Sequence, residues 1–191
     1  MEPQQRGGKL HAAVERHGKG ASPFYDEVVA EVSKRTDQQG NLGKADIGAL
    51  VAWKRLNAST RWMADLMQTS DATVRALTAE ARKSALQDDL TLELAAAGAR
   101  SALAPIPGFR VGDALASAVI YALAPGRMAV YDRRAQAGLE LLGLDLASKP
   151  GRYGRYMALV DQLSKEASVE GLTLSAREID LGLFTLGGPV A

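Results

Sequence analysis

Asp132 combines a reactive residue type with a suggestive position. It lies in Val130-Tyr131-Asp132-Arg133-Arg134-Ala135, where an apolar approach ends in a carboxylate at the start of a helical stretch. That stretch runs to Leu142 and is stopped by Gly143. Roughly twenty residues earlier stands Ile106-Pro107-Gly108-Phe109-Arg110-Val111-Gly112. It breaks the chain before a small-residue helix, Asp113-Ala114-Leu115-Ala116-Ser117-Ala118-Val119-Ile120. Two helices joined by a Gly-bounded hairpin can present consecutive backbone N–H groups at the second helix's N-terminus, which suits a phosphate. The same spacing fits an ordinary helical hairpin that binds nothing. Asp132 also has a plain structural reading, because Asp is a preferred N-cap worth about 1 kcal/mol.

Other residues bear on the same chemistry. Trp53-Lys54-Arg55 and Arg61-Trp62 set cations beside aromatics, a pairing suited to stacking and phosphate contact. Trp53 and Trp62, then Tyr121 and Tyr131, are candidate walls for a pocket. Ile47, Leu50 and Met63 lie nearby at core-like spacing, so both tryptophans also fit as packed core. Gly151-Arg152-Tyr153-Gly154-Arg155-Tyr156 alternates Arg with Tyr and reads as a nucleic-acid contact or a helix-opening turn. His11 and His17 form no credible zinc site with any helix carboxylate, so no metal or other cofactor is expected. No Walker or Rossmann loop is present. With no cysteine, a disulfide scaffold, a thiolate zinc site, an iron–sulfur cluster and a cysteine nucleophile are excluded.

The elements that must position these residues are helical almost throughout. At 191 residues and 47% apolar content, one domain with a real core is expected. Residues 1–22, rich in Gly, Gln and charge, read as a flexible basic arm with one helical turn around Leu10–Val14. Residues 23–191 read as one all-α domain of about nine helices. They begin near Pro23, which suits a first-turn position, and cover Lys44–Leu56, Thr60–Gln68, Asp71–Leu86, a stretch from Asp88 or Asp89 to Leu103, Gly112–Leu123, Asp132–Leu142 and Tyr153–Ala167. Ser70 is expected to cap the Asp71 helix, and Ser175-Ala176-Arg177-Glu178 opens the last one as a capping box. No strand alternation or internal repeat is found. There is no secretory h-region and no long apolar run, so a cytoplasmic protein without a membrane partner is expected.

Taken together, hairpin and aspartate resemble the helix-hairpin-helix superfamily of base-excision DNA glycosylases over residues 103–143. In that superfamily a Leu-Pro-Gly hairpin is followed by a second helix and a Val-Asp pair whose Asp is catalytic. Here Ile106-Pro107-Gly108 stands at the hairpin and Asp132 at the aspartate. The resemblance implies double-stranded DNA as partner, a flipped base, and Asp132 stabilising the sugar cation. It implies backbone contacts from Gly108, Arg110 and Gly112, with Arg133, Arg134, Arg152 and Arg155 in support. The pattern departs in three places. Phe109-Arg110 replaces the second hairpin glycine, Tyr131 separates Val130 from Asp132, and the spacing to Asp132 is about two residues longer. Bifunctional members carry a lysine in or near the hairpin, but none lies between Lys83 and Lys149, so a monofunctional enzyme is expected; separately, a monomer is favoured. The alternatives are a catalytically silent DNA-binding module and an all-α adaptor. The net charge of +1 hides an asymmetry, since residues 100–155 carry eight Lys/Arg against four Asp/Glu.

Overall fold

A computed structural model describes residues 5–188, and within them the chain is all-helical, with ten helices and no strand. In chain order these are α1 (Arg6–Gly20), α2 (Glu27–Gln39), α3 (Lys44–Trp53), α4 (Arg61–Gln68) and α5 (Asp71–Ala85). Then come α6 (Leu92–Leu103), α7 (Ala114–Leu123), α8 (Arg133–Leu141), α9 (Arg152–Val169) and α10 (Ala176–Leu186).

Several helix starts are set by side-chain caps. Ser70 Oγ accepts the Thr73 N–H at 3.1 Å, and Ser175 Oγ accepts the Glu178 N–H at 3.2 Å while Glu178 returns a bond to Ser175 N–H. Thr91 caps α6, which moves its start past Asp88 and Asp89. The helix expected from Pro23 begins only at Glu27. Residues 23–26 form turns, and Phe24 stands 67% exposed.

At the centre lies α7, whose residues from Leu115 to Leu123 are buried except for Tyr121. Around it pack α2, α3, α5 and α6. The other half is built on glycines that let helices approach closely. Gly138 of α8 sits on the Leu183 carbonyl of α10, and Gly187 sits against the Arg134 carbonyl of α8. Gly154 of α9 lies beside Glu93 and Ala97 of α6.

The expected arm is corrected over residues 6–20, which form α1 packed on α9 and α10; residues 1–4 lie outside the described part. Leu10 and Ala13 are fully buried, a two-residue apolar stripe inside a charged segment. Arg6 donates to the Leu142 carbonyl at 3.0 Å and pairs with Glu166 at 3.1 Å. The N–H groups of Gly7 and Gly8 donate to the Glu170 carboxylate at 2.9 and 2.8 Å, an anion docked on a helix N-terminus. Among the described residues no helix is long and apolar enough to cross a membrane.

Candidate active site around Asp132

The backbone leading into Asp132 is pinned from three helices. Asp180 of α10 accepts the Val130 N–H at 2.9 Å, and Ser117 of α7 accepts the Tyr131 N–H at 2.9 Å. Tyr153 and Tyr156 of α9 donate their hydroxyls to the carbonyls of Ala129 and Val130 at 2.9 and 3.2 Å. Both tyrosines are fully buried, and burial pushes both phenols well above their usual pKa. The Arg-Tyr alternation therefore splits, with its tyrosines inside the core as supports for this segment.

Asp132 is the N-cap of α8. Its Oδ1 accepts the Ala135 N–H at 2.9 Å, and its Oδ2 accepts from Lys54 Nζ at 3.2 Å. Cap and ion pair thus use different oxygens of one carboxylate. Lys54 follows the last residue of α3, and its side chain is 11% exposed.

Lys54 and Asp132 line a small cavity with Trp53, Arg177, Asp180, His17 and Phe184. Measured as the space open to the centre of a water-sized sphere, it holds about 20 Å³, room for one water. Trp53 donates its indole N–H to the Tyr25 carbonyl at 3.1 Å. Arg177 lies over the Trp53 ring at 5.6 Å and binds both Asp180 and Asp26 through paired hydrogen bonds of 2.8–3.0 Å. Burial pushes the Asp180 carboxyl up to about 6, with Arg177 and the Val130 N–H pulling it back. His17 lies below its usual value through burial first and the Arg177 charge second.

The hairpin forms a separate region. Gly108 adopts φ +91°, and its α-carbon face lies against the Trp62 ring, leaving no room for a side chain. Arg110 and Val111 are exposed, the latter at 89%, and Gly112 adopts φ +76°. Asp113, the N-cap of α7, is bound by Arg100 at 3.0 Å and Arg152 at 2.9 Å. That carboxylate occupies the neighbourhood where an anion was expected.

The sequence candidates are therefore divided. Asp132 and Trp53 meet in one cavity, whereas Trp62, Gly108 and Arg110 meet at the hairpin. Tyr121 and Tyr131 do not reach the Asp132 cavity, which corrects their expected place as its walls. Tyr131 packs edge-to-face on Tyr156 at 5.4 Å and donates its hydroxyl to Gln136. Tyr121 lies under Arg177 and lines a groove with residues of α2. Arg152 is held by Asp113, and Arg155 donates to the carbonyls of Ala147, Lys149 and Pro150, so both guanidinium groups have internal partners. Arg133 is exposed, and Arg134 stacks on Phe184 at 3.6 Å.

No family model matches this chain, and no curated protein or solved structure matches it. Among the described residues no group of three or more His, Cys, Asp or Glu is placed to hold a metal ion.

Lys54, Arg177 and Asp180, the other charged residues of the cavity, were not assigned to it from sequence. No lysine lies near the hairpin in sequence, yet Lys54 reaches Asp132 across 78 residues of chain. Its only sequence signal was a cation beside Trp53. Because Asn caps helices about as well as Asp, Asp132→Asn is expected to cost only about 1 kcal/mol, for the ion pair. Asp132→Ala loses the cap too and is expected to cost about 2 kcal/mol. Urea unfolding of the two variants checks the difference; equal losses would mean the cap contributes nothing.

Proposed function

We propose that this chain is a DNA glycosylase-like hydrolase that breaks an N-glycosidic bond with Asp132, the hairpin of α6 and α7 contacting the duplex. The observation that carries the reading is a carboxylate fixed at a helix N-terminus, paired with Lys54, and facing a cavity walled by Trp53. Breaking an N-glycosidic bond leaves positive charge on the sugar, and a fixed carboxylate stabilises that charge without reorganising. The C1′–N electron pair leaves with the base, the oxygen of a water bonds to C1′, and a water proton passes to Asp132. The cavity has room for such a water. A base needs far more space, so the reading requires the cavity to open where His17 of α1 meets Phe184 of α10, their rings 6.1 Å apart.

Lys54 acts in this reading as a positioning residue. An ammonium engaged with a carboxylate has no free electron pair, so it directs Asp132 and does not attack the sugar. The route is then hydrolytic, and borohydride is expected to trap no adduct with an abasic duplex.

The test uses duplexes carrying uracil, alkylated or oxidised bases, with alkali revealing abasic sites. The wild type is expected to release at least one of these bases and Asp132→Asn none. Equal inertness across the panel overturns catalysis. A borohydride adduct that disappears in Lys54→Ala overturns the hydrolytic route. The smallness of the cavity favours a second reading, a DNA-binding module without turnover. Salt-dependent duplex binding with no base release would establish it.

A further inference from the structure

A second pocket adjoins the Asp132 cavity and shares His17, Tyr25 and Phe184 with it. It holds about 320 Å³, and its charged lining is basic: Arg16 from α1, Arg55 after α3 and Arg134 from α8. Eight of the chain's fifteen arginines are neutralised elsewhere, while Arg61, Arg110, Arg133 and Arg155, like the three of this pocket, have no ion pair among the described residues. Arg6, Arg35, Arg75, Arg82, Arg100, Arg127, Arg152 and Arg177 each meet a carboxylate. Among the described residues Arg16, Arg55 and Arg134 meet none.

Two further features mark the pocket. The Arg134 guanidinium lies over Phe184 at 3.6 Å, and its Nε is buried with no hydrogen-bond partner. Stacking holds the planar fork in place before any ligand arrives. Arg55 adopts φ +52°, the left-handed conformation that side chains seldom take, and no other non-glycine residue among those described does so. The positive field also reaches His17, whose pKa is lowered by burial first, then by Arg177, with Arg134 adding to it.

We infer that Arg16, Arg55 and Arg134 form a phosphate-binding subsite that takes a phosphodiester of a DNA strand beside the Asp132 cavity. Guanidinium groups bind phosphate oxygens in pairs, and three of them converge here without a counter-charge. A phosphate seated against Phe184 leaves its neighbouring nucleoside facing the shared wall of His17 and Tyr25, beyond which lies Asp132. The choice of a DNA strand rests on the glycosylase reading; the anion site itself does not. Part of the backbone grip then comes from α1 and the turn after α3, which differs from a grip confined to the hairpin.

The experiment follows a fluorescent duplex with a central tetrahydrofuran abasic analogue by anisotropy, across a salt series. It compares the full chain with the double variant Arg16→Ala/Arg55→Ala and with Lys83→Ala, an exposed lysine of α5 that does not line the pocket. Each phosphate contact contributes about 0.9 to the slope of log affinity against log salt. The double variant is expected to bind at least about tenfold more weakly at low salt, with a slope shallower by nearly 2. Lys83→Ala is expected to match the wild type. Both pocket substitutions fall on exposed side chains, and thermal unfolding confirms that the variants are folded. An unchanged slope, or binding of neither the duplex nor thymidine monophosphate by the wild type at low salt, overturns the subsite. Thymidine monophosphate binding as tightly as the duplex, and lost in the double variant, overturns the strand assignment in favour of a free phosphate ligand. If the slope falls as expected but no base is ever released, the subsite stands and the catalytic reading fails.

Discussion

Asp180→Ala is expected to lower the unfolding free energy by about 3 kcal/mol at neutral pH. Asp180 is 3% exposed, accepts the Val130 N–H and binds Arg177 with both oxygens. Its removal strands a buried amide and halves the carboxylate support of Arg177, which keeps only Asp26. The two ends of the pair respond oppositely to the interior. Burial lifts Asp180 to about 6 in spite of Arg177, whereas burial acts to lower Arg177 and is outweighed by Asp180 and Asp26, which hold it above the usual arginine value. A carboxyl whose folded pKa exceeds its ordinary value of 3.8 favours the folded state most when protonated. Its contribution is therefore complete below about pH 4, declines as pH rises toward 6, and is flat above. The span is on the order of 3 kcal/mol. Asp71 and Glu178 run the other way. Hydrogen bonds from the Lys44 and Ser175 backbones lower their pKa values, and their contribution is lost in acid. Denaturant unfolding of wild type and Asp180→Asn between pH 4 and 7 isolates the Asp180 share by subtraction. A difference that does not change with pH contradicts this account of the pair.

Gly138→Val is expected to cost roughly 3 kcal/mol, because a side chain there overlaps the Leu183 carbonyl of α10. Backbone cannot swing aside as a side-chain tip can, so α8 and α10 must separate. Gly187 meets the Arg134 carbonyl in the same joint, which leaves little slack. The effect extends to the site, since α8 carries Asp132 at its start and α10 carries Arg177, Asp180 and Phe184. Unfolding gives the stability loss. Indole fluorescence, through Trp53 beneath Arg177, reports whether the cavity wall has moved. A variant as stable as wild type, with unaltered emission, would show that the two helices are not locked by this contact.

What the sequence made legible follows the range of each interaction. Ser70, Asp132 and Ser175 cap within three residues, so their roles could be read from neighbours alone. The break at Pro105–Pro107 and the buried small-residue helix after it were visible for the same reason. Lys54 with Asp132 and Arg177 with Asp26 join residues 78 and 151 apart, and nothing local at either end announces the partner. Tyr131 looked like a pocket wall because aromatics near a carboxylate often are; its ring turns instead to Tyr156. The first helix was hidden differently. Its polar face dominates its composition, and only Leu10 and Ala13 are fully buried hydrophobics. Its docking depends on Glu166 of α9 and Glu170 just after it, carboxylates far along the chain from α1.

That docking also bears on how the molecule assembles. Arg6 reaches a partner 160 residues further along the chain, and α1 packs mainly on α9 and α10. During synthesis the segment therefore waits until α9 and α10 have formed, and it closes the structure as its last joint. Loop-closure entropy makes such a joint slow to form and open to reversal. Since His17 of this helix covers the Asp132 cavity, the final folding step and the opening that a nucleobase would require are movements of the same piece.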